Sequence, residues 1–310
     1  MATDENGKLV IAVSSRALFN LEEENHLFET KGFSAYRKYQ IEHIDEPMKP
    51  GVAFPFISRL LKLNDAFPNE KPVQVVVLSR NSPETGQRFF SSCRHYELPI
   101  TAGAFTSGQS TFPFMKAFNA SLFLTANHES VQRAISGGLP AGLVLPSSFQ
   151  DIEQDDIGLR IAFDFDGVLA DDEAERKYQA EGIQAFNRQE IAKKLEPLKA
   201  GPLTGFFSKL SHLQELDSRR GKGDPYYQPA IRIAIVTSRG APSEERLITT
   251  LKSFGMYAAE LFLMDGMKKL PVLNVLKPHI FFDDQLKHLE PEAVPSVLVP
   301  FGINSLKTIK

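Results

Sequence analysis

Short apolar runs alternate with amphipathic segments along the whole chain. The runs that are rich in β-branched or aromatic residues, and short enough to be strands, are LVIAV (9–13), VQVVVL (73–78), SLFL (121–124), RIAF (160–163), IRIAIV (231–236), ELFL (260–263), HIFF (279–282) and SVLV (296–299). Helical patterns lie between them. One has Asn20 as its predicted N-cap and runs through LEEENHLFETKG, and the others cover roughly 84–96, 172–195, 203–217 and 243–254. Strands that alternate with helices predict parallel sheets covered on both faces.

The same strand endings occur twice along the chain. IAVSSRALFN resembles IAFDFDGVLAD, VVVLSRNSPE resembles IAIVTSRGAPSEE, and SLFLTAN resembles HIFFDDQ. If Ser79 is paired with Ser238, the third members follow after 46 and 45 residues, at Thr125 and Asp283. We interpret this repeat as a duplication, with chance resemblance between two α/β halves as the alternative.

The two copies differ in chemistry at the strand ends. The second copy has Asp164, Asp166, Asp283 and Asp284, where the first has Ser14, Arg16, Thr125 and Ala126. We therefore expect the N-terminal half to keep the scaffold and to lack the reaction. The polar segment PSSFQDIEQDDIG (146–158) predicts a linker, which gives domains 1–150 and 151–310 with a helical cap at about 172–230.

Composition and charge limit the class of protein. Of 310 residues, 42% are hydrophobic and 24% charged, as is typical of soluble globular proteins. A net charge of −3 disfavours binding to a nucleic acid polymer. Cys93 alone cannot form an internal disulfide, the start MATDENGK is not a signal peptide, and no apolar run nears the ~20 residues of a membrane span. We expect a cytoplasmic protein without a membrane partner.

Polar and charged residues follow four of the predicted elements in the second half. They are Asp164 and Asp166 after RIAF, Thr237 and Ser238 after IAIV, Lys269 within DGMKKLPVL, and Asp283 and Asp284 after HIFF. Each alone has an ordinary explanation, as a helix cap, a turn or a solvated lysine. Together and in this order, they predict a charged site at the carboxyl edge of a parallel sheet.

This order of motifs resembles the haloacid dehalogenase (HAD)-like superfamily of phosphohydrolases. Over residues 9 to about 302, the chain is also similar to the cytosolic 5′-nucleotidase type I family through VIAVSSRALF, YQIEHIDEP, GVAFPF, GPLTGFF, IVTSR and KPHIFFDDQ. The resemblance implies a Rossmann-like HAD fold with a parallel sheet and a small helical cap, preceded by a degenerate, related α/β half. The first motif, DFDG, departs from the D-G-D form that we associate with eukaryotic members, so the substrate preference stays open.

The resemblance also implies roles for these residues. Asp164 is the expected nucleophile, which forms an aspartyl-phosphate, and Asp166 the expected acid and base. An acid at the second position favours a phosphatase over a dehalogenase. The implied Mg²⁺ ligands are Asp164, the backbone carbonyl of Asp166 and the Asp283–Asp284 pair, with Asp284 favoured as the direct ligand. Thr237, Ser238 and Lys269 are expected to bind phosphate, with Lys268 as the alternative lysine.

The nucleoside site is less determined by the sequence. Phe206 and Phe207 of GPLTGFF are candidates for stacking on a base, although core packing explains them equally well. Tyr178, Phe186 and Tyr226 are also candidates. In the first half, SSRA (14–17), SRNS (79–82) and TSGQS (106–110) offer hydroxyl and amide groups to a ligand, or form ordinary turns.

The sequence therefore predicts a Mg²⁺-dependent 5′-nucleotidase that hydrolyses AMP-like or IMP-like nucleoside 5′-monophosphates. Two alternatives remain: a HAD phosphatase for another small phosphomonoester, and a nucleotide-binding regulator with vestigial catalysis. A nucleotide effector and a homo-oligomer are left open, as are the base and sugar preference.

Overall fold

The computed structural model describes residues 8–147, 158–290 and 294–305. Contacts divide the chain into two units, Met1–Leu139 and Pro140–Lys310, called unit 1 and unit 2 below. Most of the predicted linker, residues 148–157, lies outside the described residues.

Unit 1 is an α/β unit with a parallel sheet. Its strands are β1 (Leu9–Val13), β2 (Phe19–Asn20), β3 (Lys49–Pro50), β4 (Val73–Ser79), β5 (Ala102–Phe105) and β6 (Leu122–Thr125). Its helices are α1 (Ser15–Leu18), α2 (Glu22–Glu42), α3 (Phe54–Ala66), α4 (Pro83–His95), α5 (Phe114–Ala117) and α6 (His128–Ser136). The strand order is β6–β1–β4–β5 with all neighbours parallel, and β2 and β3 form a short antiparallel pair.

Unit 2 has a larger sheet of the same kind. Its strands are β7 (Ala141–Val144), β8 (Leu159–Phe163), β9 (Ile231–Thr237), β10 (Glu260–Leu263), β11 (Ile280–Asp283) and β12 (Ser296–Leu298). Its helices are α7 (Glu173–Ala192), α8 (Thr204–Arg220), α9 (Glu244–Ser253), α10 (Leu270–Leu276), a 3₁₀ helix (Leu286–His288) and α11 (Gly302–Ser305). The order is β10–β9–β8–β11–β12–β7, parallel except for β7 against β12.

The mostly parallel α/β architecture predicted from the sequence is confirmed. The apolar runs are buried because helices cover both faces of such sheets: β4 and β9 each have seven residues, of which only the second is exposed. In unit 2, Phe163 of β8 stacks on Phe282 of β11 with ring centroids 5.0 Å apart. Burial of such side chains, each worth about 1.5–3 kcal/mol, holds the strand ends in place.

The long helices α2 of unit 1 and α7 of unit 2 are both kinked at a glycine. Gly32 interrupts α2 with φ 77° and ψ −177°, and Gly182 interrupts α7 with φ 77° and ψ 179°. Glycine adopts this backbone conformation without the strain that a Cβ would cause. The predicted N-cap Asn20 lies one residue before the N-cap position of α2, which is Leu21 and has no side-chain cap hydrogen bond. Asn20 Oδ1 still accepts a hydrogen bond from Glu22 N–H at 3.2 Å.

Four strands were missed by the sequence pattern: the two-residue strands β2 and β3, and the longer β5 and β7. The strand β5 lies at the edge of its sheet and is only partly buried, so its apolar signal is weak. Gly103 within it approaches β4 so closely that a Cβ would lie 2.2 Å from Val77 Cγ1. Among the described residues, no helix is long and apolar enough to cross a membrane.

Candidate active site

Three of the predicted site segments meet at the carboxyl edge of the unit 2 sheet. Asp164 follows β8 directly, and its N–H donates to the Phe282 carbonyl of β11 at 2.8 Å. Asp283 is the last residue of β11, and Thr237 the last residue of β9, so they flank Asp164 on its two neighbouring strands. All three side chains are buried. Parallel strands bring such residues together at the edge where α/β sheets bind ligands.

Lys269 joins the two central acids. Its Nζ lies 2.9 Å from Asp164 Oδ2 and 2.6 Å from Asp283 Oδ2, and the residue is only 2% exposed. It directly precedes α10, whose first turn contains Pro271. Lys268 is exposed, so Lys269 is the lysine that contacts Asp164.

Burial and this lysine set the protonation of the acids. Burial raises the pKa of Asp164 to about 6, although Lys269 opposes the shift. Burial also acts to raise the pKa of Asp283, but Lys269 and His288 outweigh it and hold this pKa below its ordinary value. Burial acts to lower the pKa of Lys269, but Asp164 and Asp283 outweigh it and raise this pKa. One lysine thus faces two acids, so the negative charge of these acids can be offset by a further cation.

Asp283 is held by several donors besides the lysine. Gln285 N–H donates to Asp283 Oδ1 at 2.8 Å, and His288 Nδ1 lies 3.1 Å from Oδ2. His288 comes from the 3₁₀ helix after β11 and was not among the predicted site residues. Its spacing of five positions from Asp283 was the available signal, but a lone histidine in a sequence is weak evidence.

Asp284 lies against the loop of the first motif. Gly167 has φ 74°, and a Cβ on it would lie 2.6 Å from Asp284 Oδ2. A glycine is therefore required both by the backbone conformation and by the approach of this carboxylate. Carboxylate oxygens are the ligands that Mg²⁺ prefers, and Asp164, Asp283 and Asp284 bring three buried carboxyl groups to this end of the sheet. Asp164, Asp283 and His288 also offer ligand atoms that all lie within 4.8 Å of one another, so the residues fit a divalent cation.

Asp166 is held by an arginine that sequence reasoning missed. Arg239 Nε lies 2.7 Å from Asp166 Oδ2, and Nη2 lies 2.8 Å from Oδ1. Its Nη1 donates to Glu190 of α7. Burial acts to lower the pKa of Arg239, but Asp166 and Glu190 outweigh it and raise this pKa. In the sequence, Arg239 stands within the repeated motif IAIVTSRGAPSEE and the family motif IVTSR, and neither motif by itself assigns a role to its side chain.

The same glutamate ties α7 to α9. Glu190 Oε1 accepts from Arg246 Nη1 at 2.8 Å, and Arg246 Nη2 lies 3.3 Å from Glu173. Glu190, Arg239 and Arg246 are all at most 5% exposed. Removing one member of such a buried network leaves uncompensated charge, so the network fixes α7 beside Asp166.

Thr237 and Ser238 lie at the end of β9, as predicted. Thr237 is buried, and its Oγ1 accepts from Arg239 N–H at 3.3 Å. Ser238 is exposed, and its carbonyl accepts from Gly266 N–H at 3.0 Å. Thr237 therefore ends the strand next to Asp164, and Ser238 begins the loop that carries Arg239.

The predicted nucleoside residues Phe206 and Phe207 lie in the core. They are 1% and 0% exposed. The Phe207 ring centroid lies 5.0 Å from that of Phe163, and the Phe206 centroid lies 5.9 Å from that of Phe282. Neither ring has an exposed face on which a base could stack, so both side chains are part of the hydrophobic core.

Another aromatic pair, Tyr178 and Phe186, is linked to Asp166 through Arg239. Tyr178 of α7 is 47% exposed and meets Phe186 edge-on, with ring centroids 6.4 Å apart. Arg239 Cζ lies 5.6 Å from the Phe186 centroid. Because Arg239 binds Asp166, this pair is linked to the first motif through one side chain.

Unit 1 repeats this geometry with uncharged side chains. Ser14 N–H donates to the Leu124 carbonyl at 2.8 Å, as Asp164 does to Phe282. The strand ends pair Thr125 with Asp283 and Ser79 with Thr237, the latter one position before the expected pairing with Ser238. Thr111 stands two positions before Pro113, as Lys269 stands before Pro271. Hydroxyl groups thus replace Asp164 and Asp283, and the hydroxyl of Thr111 lies two positions before a proline, where unit 2 has Lys269.

The parallel α/β fold and the acids at its strand ends are those of the HAD-like class of phosphohydrolases. The chain matches the model of the 5′-nucleotidase family over residues 1–306 and belongs to that family. It is similar to human cytosolic 5′-nucleotidase 1B, with 32% identity over 302 residues that cover 96% of this chain and 49% of the human protein. The chain thus spans about half the length of this curated relative. No solved structure matches the chain.

Proposed function

We propose that the chain is a Mg²⁺-dependent cytoplasmic 5′-nucleotidase that hydrolyses AMP-like or IMP-like nucleoside 5′-monophosphates to a nucleoside and phosphate. The observation that carries this proposal is the contact of Lys269 with Asp164 and Asp283. Membership of the 5′-nucleotidase family supports the substrate class. The name of the human relative supports both the reaction and the cytosolic location.

The first chemical step uses the two acids of the DFDG motif. An Asp164 oxygen attacks phosphorus while the bond from phosphorus to the ribose 5′-oxygen breaks, and Asp166 gives its proton to that oxygen. The products are an aspartyl-phosphate and the free nucleoside. Lys269 favours this step because its charge offsets that of Asp164 and of an incoming phosphate oxygen.

The second step regenerates the enzyme. Asp166, now ionised, takes a proton from water, and the water oxygen attacks phosphorus. The bond between phosphorus and the Asp164 oxygen breaks, and phosphate leaves. One water molecule is consumed for each ester hydrolysed, so atoms and charge balance over the cycle.

Mg²⁺ would be held by carboxylate oxygens of Asp164 and Asp284 and by the backbone carbonyl of Asp166. Asp283 would orient Lys269 rather than bind the ion directly, because its oxygens already accept from Lys269 and Gln285. When bound, the ion offsets the repulsion between the phosphate dianion and the acids. The Thr237 hydroxyl and the Ser238 N–H, at the end of β9, would bind the other phosphate oxygens.

Arg239 acts as a positioning residue for Asp166. Two N–H groups on one carboxylate fix its orientation, and Asp166 must leave this pair and take up a proton from solvent before it protonates the ribose oxygen. We expect Arg239→Met to lower kcat by about ten- to hundredfold with a smaller change in KM, measured by phosphate release from AMP. A larger change in KM than in kcat would instead indicate a direct role in substrate binding.

Recognition of the nucleoside is assigned to Tyr178 and Phe186. The exposure of Tyr178 and the link of Phe186 to Arg239 support this assignment. Base stacking on an aromatic ring contributes about 1–3 kcal/mol. Tyr178→Ala should therefore raise KM for AMP by about tenfold or more and leave hydrolysis of ribose 5-phosphate nearly unchanged.

The domain assignment is part of the proposal. Residues 151–310 would form the catalytic HAD-like domain with a cap at about 172–230, and residues 1–150 a degenerate half without a catalytic Asp. The hydroxyls at positions 14 and 125 support this division, because they supply neither the nucleophilic acid nor the metal ligands. A nucleotide effector and a homo-oligomer remain predictions, and sedimentation with and without AMP tests the latter.

Phosphate release from a panel of nucleoside and sugar monophosphates, with Mg²⁺ or with EDTA, tests the proposal. We expect turnover of AMP and IMP with Mg²⁺ and none with EDTA. Preference for a sugar phosphate would identify a HAD phosphatase of another specificity. Tight nucleotide binding without turnover of any ester would identify a regulator with vestigial catalysis.

A further inference from the structure

Unit 1 contains a cavity of about 560 Å³ at the carboxyl edge of its own sheet. Ser14, Ser79 and Thr125 line it from the ends of three strands, and α2 lines its other side. The volume lies within the range of about 300–1,000 Å³ typical of small-ligand sites. The cavity therefore occupies the place in unit 1 that the acid cluster occupies in unit 2.

The floor of the cavity is an ordered polar network. Ser15 Oγ lies 2.9 Å from Ser79 Oγ, and Asn81 Nδ2 donates to Ser15 Oγ at 2.9 Å. Ser15 and Ser79 are each 2% exposed. Hydroxyl and amide groups held in this way both donate and accept, which suits the oxygens of a sugar or a phosphate.

The charge of the lining favours an anion. Its charged side chains are Arg16, Arg80 and Glu29, so positive charge is in excess. Arg16 pairs with Glu22, and Arg80 lies 3.6 Å from Glu129, but all four side chains are substantially exposed. Arg16 is held by Glu22 through two hydrogen bonds. The exposed Arg80–Glu129 contact is of the kind worth only about 0–1 kcal/mol, so a phosphate group competes for Arg80.

Aromatic side chains form the opposite wall. Phe28 and Phe33 of α2, on either side of the kink at Gly32, are 47% and 44% exposed. Phe28 meets Tyr36 edge-on with ring centroids 6.0 Å apart, as Tyr178 meets Phe186 in unit 2. Exposed rings above a polar floor suit a ligand with an aromatic ring at one end and oxygens at the other.

We infer that unit 1 binds a nucleoside phosphate in this cavity, without a metal ion and without hydrolysing it. In unit 2, the clustered carboxylates repel phosphate unless a cation offsets them. In unit 1, the equivalent positions carry hydroxyls, so phosphate enters directly. Because residue 14 is a serine that caps α1 rather than a carboxylate beside a lysine, no phosphoryl group is transferred.

Titration calorimetry of the full chain in EDTA tests this inference. With AMP, we expect one site per chain. Adenosine and ribose 5-phosphate, which each lack one half of the ligand, should bind at least about tenfold more weakly. Absence of AMP binding in EDTA would overturn the inference. Equal affinity for AMP and ribose 5-phosphate would overturn the role of the aromatic wall.

A matched pair of variants tests the position of the site. Asn81→Asp puts a negative charge on the cavity floor and should weaken AMP binding by about tenfold or more. Asn119→Asp makes the same change at an exposed position outside the cavity and should leave affinity unchanged. If both variants bind AMP equally well, the assignment to this cavity is wrong. Phe33→Ala, at a half-exposed position, provides a second test and should weaken AMP binding but not ribose 5-phosphate binding.

Hydrogen exchange in EDTA locates the ligand independently of the variants. AMP should protect segments 14–17, 79–82 and 106–110 and leave 164–167 and 237–240 unchanged. Protection of the second group alone would move the ligand to unit 2 and overturn the inference. This outcome is separable from failure of the proposed nucleotidase, which is read by phosphate release with Mg²⁺.

Discussion

Units 1 and 2 place the same elements around the same kind of sheet edge and fill that edge with different chemistry. The residue after β1 in unit 1 and the residue after β8 in unit 2 each donate their N–H to the neighbouring strand, at 2.8 Å in both cases. Unit 2 has Asp164 there and a buried lysine against it, and unit 1 has Ser14. A scaffold can thus keep its geometry while a few side chains change the chemistry of its sheet edge.

The buried networks behind the edges differ in the same direction. In unit 1, Arg88 contacts Glu24 and the neutral Gln40. In unit 2, Glu190 is charged and serves two arginines, Arg239 and Arg246. The additional arginine is the one that holds Asp166, so the stronger network accompanies the unit that carries the acids.

The largest expected difference in the rate of phosphate release is between substitutions at Asp164, after β8, and at Ser14, after β1. Asp164→Asn should lower phosphate release from AMP by about 10⁴-fold or more, because the amide cannot form the acyl phosphate. Ser14→Ala should leave the rate within about twofold and cost about 1 kcal/mol of stability through loss of a helix cap. Comparable losses of rate in both variants would contradict the assignment of the reaction to unit 2.

The lysine position should show the next largest contrast. Lys269→Gln removes the charge between Asp164 and Asp283, and we expect kcat to fall by about 10²–10³-fold. Thr111→Val, the counterpart in unit 1, keeps the side-chain shape and should change kcat little. Steady-state kinetics on both variants, with circular dichroism as a check of folding, measures this contrast. Near-normal kcat in Lys269→Gln would remove this residue from the mechanism.

The buried network should be sensitive to a single charge. Glu190→Gln leaves Arg239 and Arg246 without their shared carboxylate, and we expect the free energy of unfolding to fall by about 3 kcal/mol. Glu181→Gln, on the exposed face of the same helix, removes a surface ion pair and should cost less than about 1 kcal/mol. Urea unfolding of the two variants gives both values. Equal, small losses would show that the network does not stabilise α7.

The smallest expected effect is the change in Mg²⁺ affinity with pH. The pKa of Asp164 is raised to about 6 by burial, so the acid is largely ionised at neutral pH and protonated below that value. A cation needs the ionised form, and affinity for Mg²⁺ should fall about tenfold between pH ~7.5 and pH ~5. Calorimetric titration with Mg²⁺ at the two pH values measures this change. An unchanged affinity would mean that Asp164 is not a ligand.

The fold was largely predictable because its strands are buried on both faces. Continuous apolar runs such as 73–78 and 231–236 leave few alternatives to a central strand. The edge strand Ala102–Phe105 escaped because a half-buried edge needs less apolar character. The kinks in the two predicted helices were missed because one glycine in a helical pattern does not reveal its φ.

The acids and Lys269 could be placed at one sheet edge from their order along the chain, whereas the contacts of Arg239 and His288 with the acids could not be predicted. The contact of Arg239 with Asp166 joins residues far apart in sequence, and only the folded loop brings them together. Phe206 and Phe207 looked suitable for a base by type, yet their helix turns both rings into the core against Phe163 and Phe282. The direction of the Phe206 and Phe207 side chains, rather than their residue type, determines that they pack in the core.

The central claim is that Asp164 takes up phosphorus while Ser14 does not. Rapid acid quenching during AMP turnover with Mg²⁺, followed by peptide mass spectrometry, tests it most directly. The account predicts one added phosphoryl group on the peptide that contains Asp164 and none on the peptide that contains Ser14. A phosphoryl group on the Ser14 peptide, or steady turnover by Asp164→Asn, would contradict it.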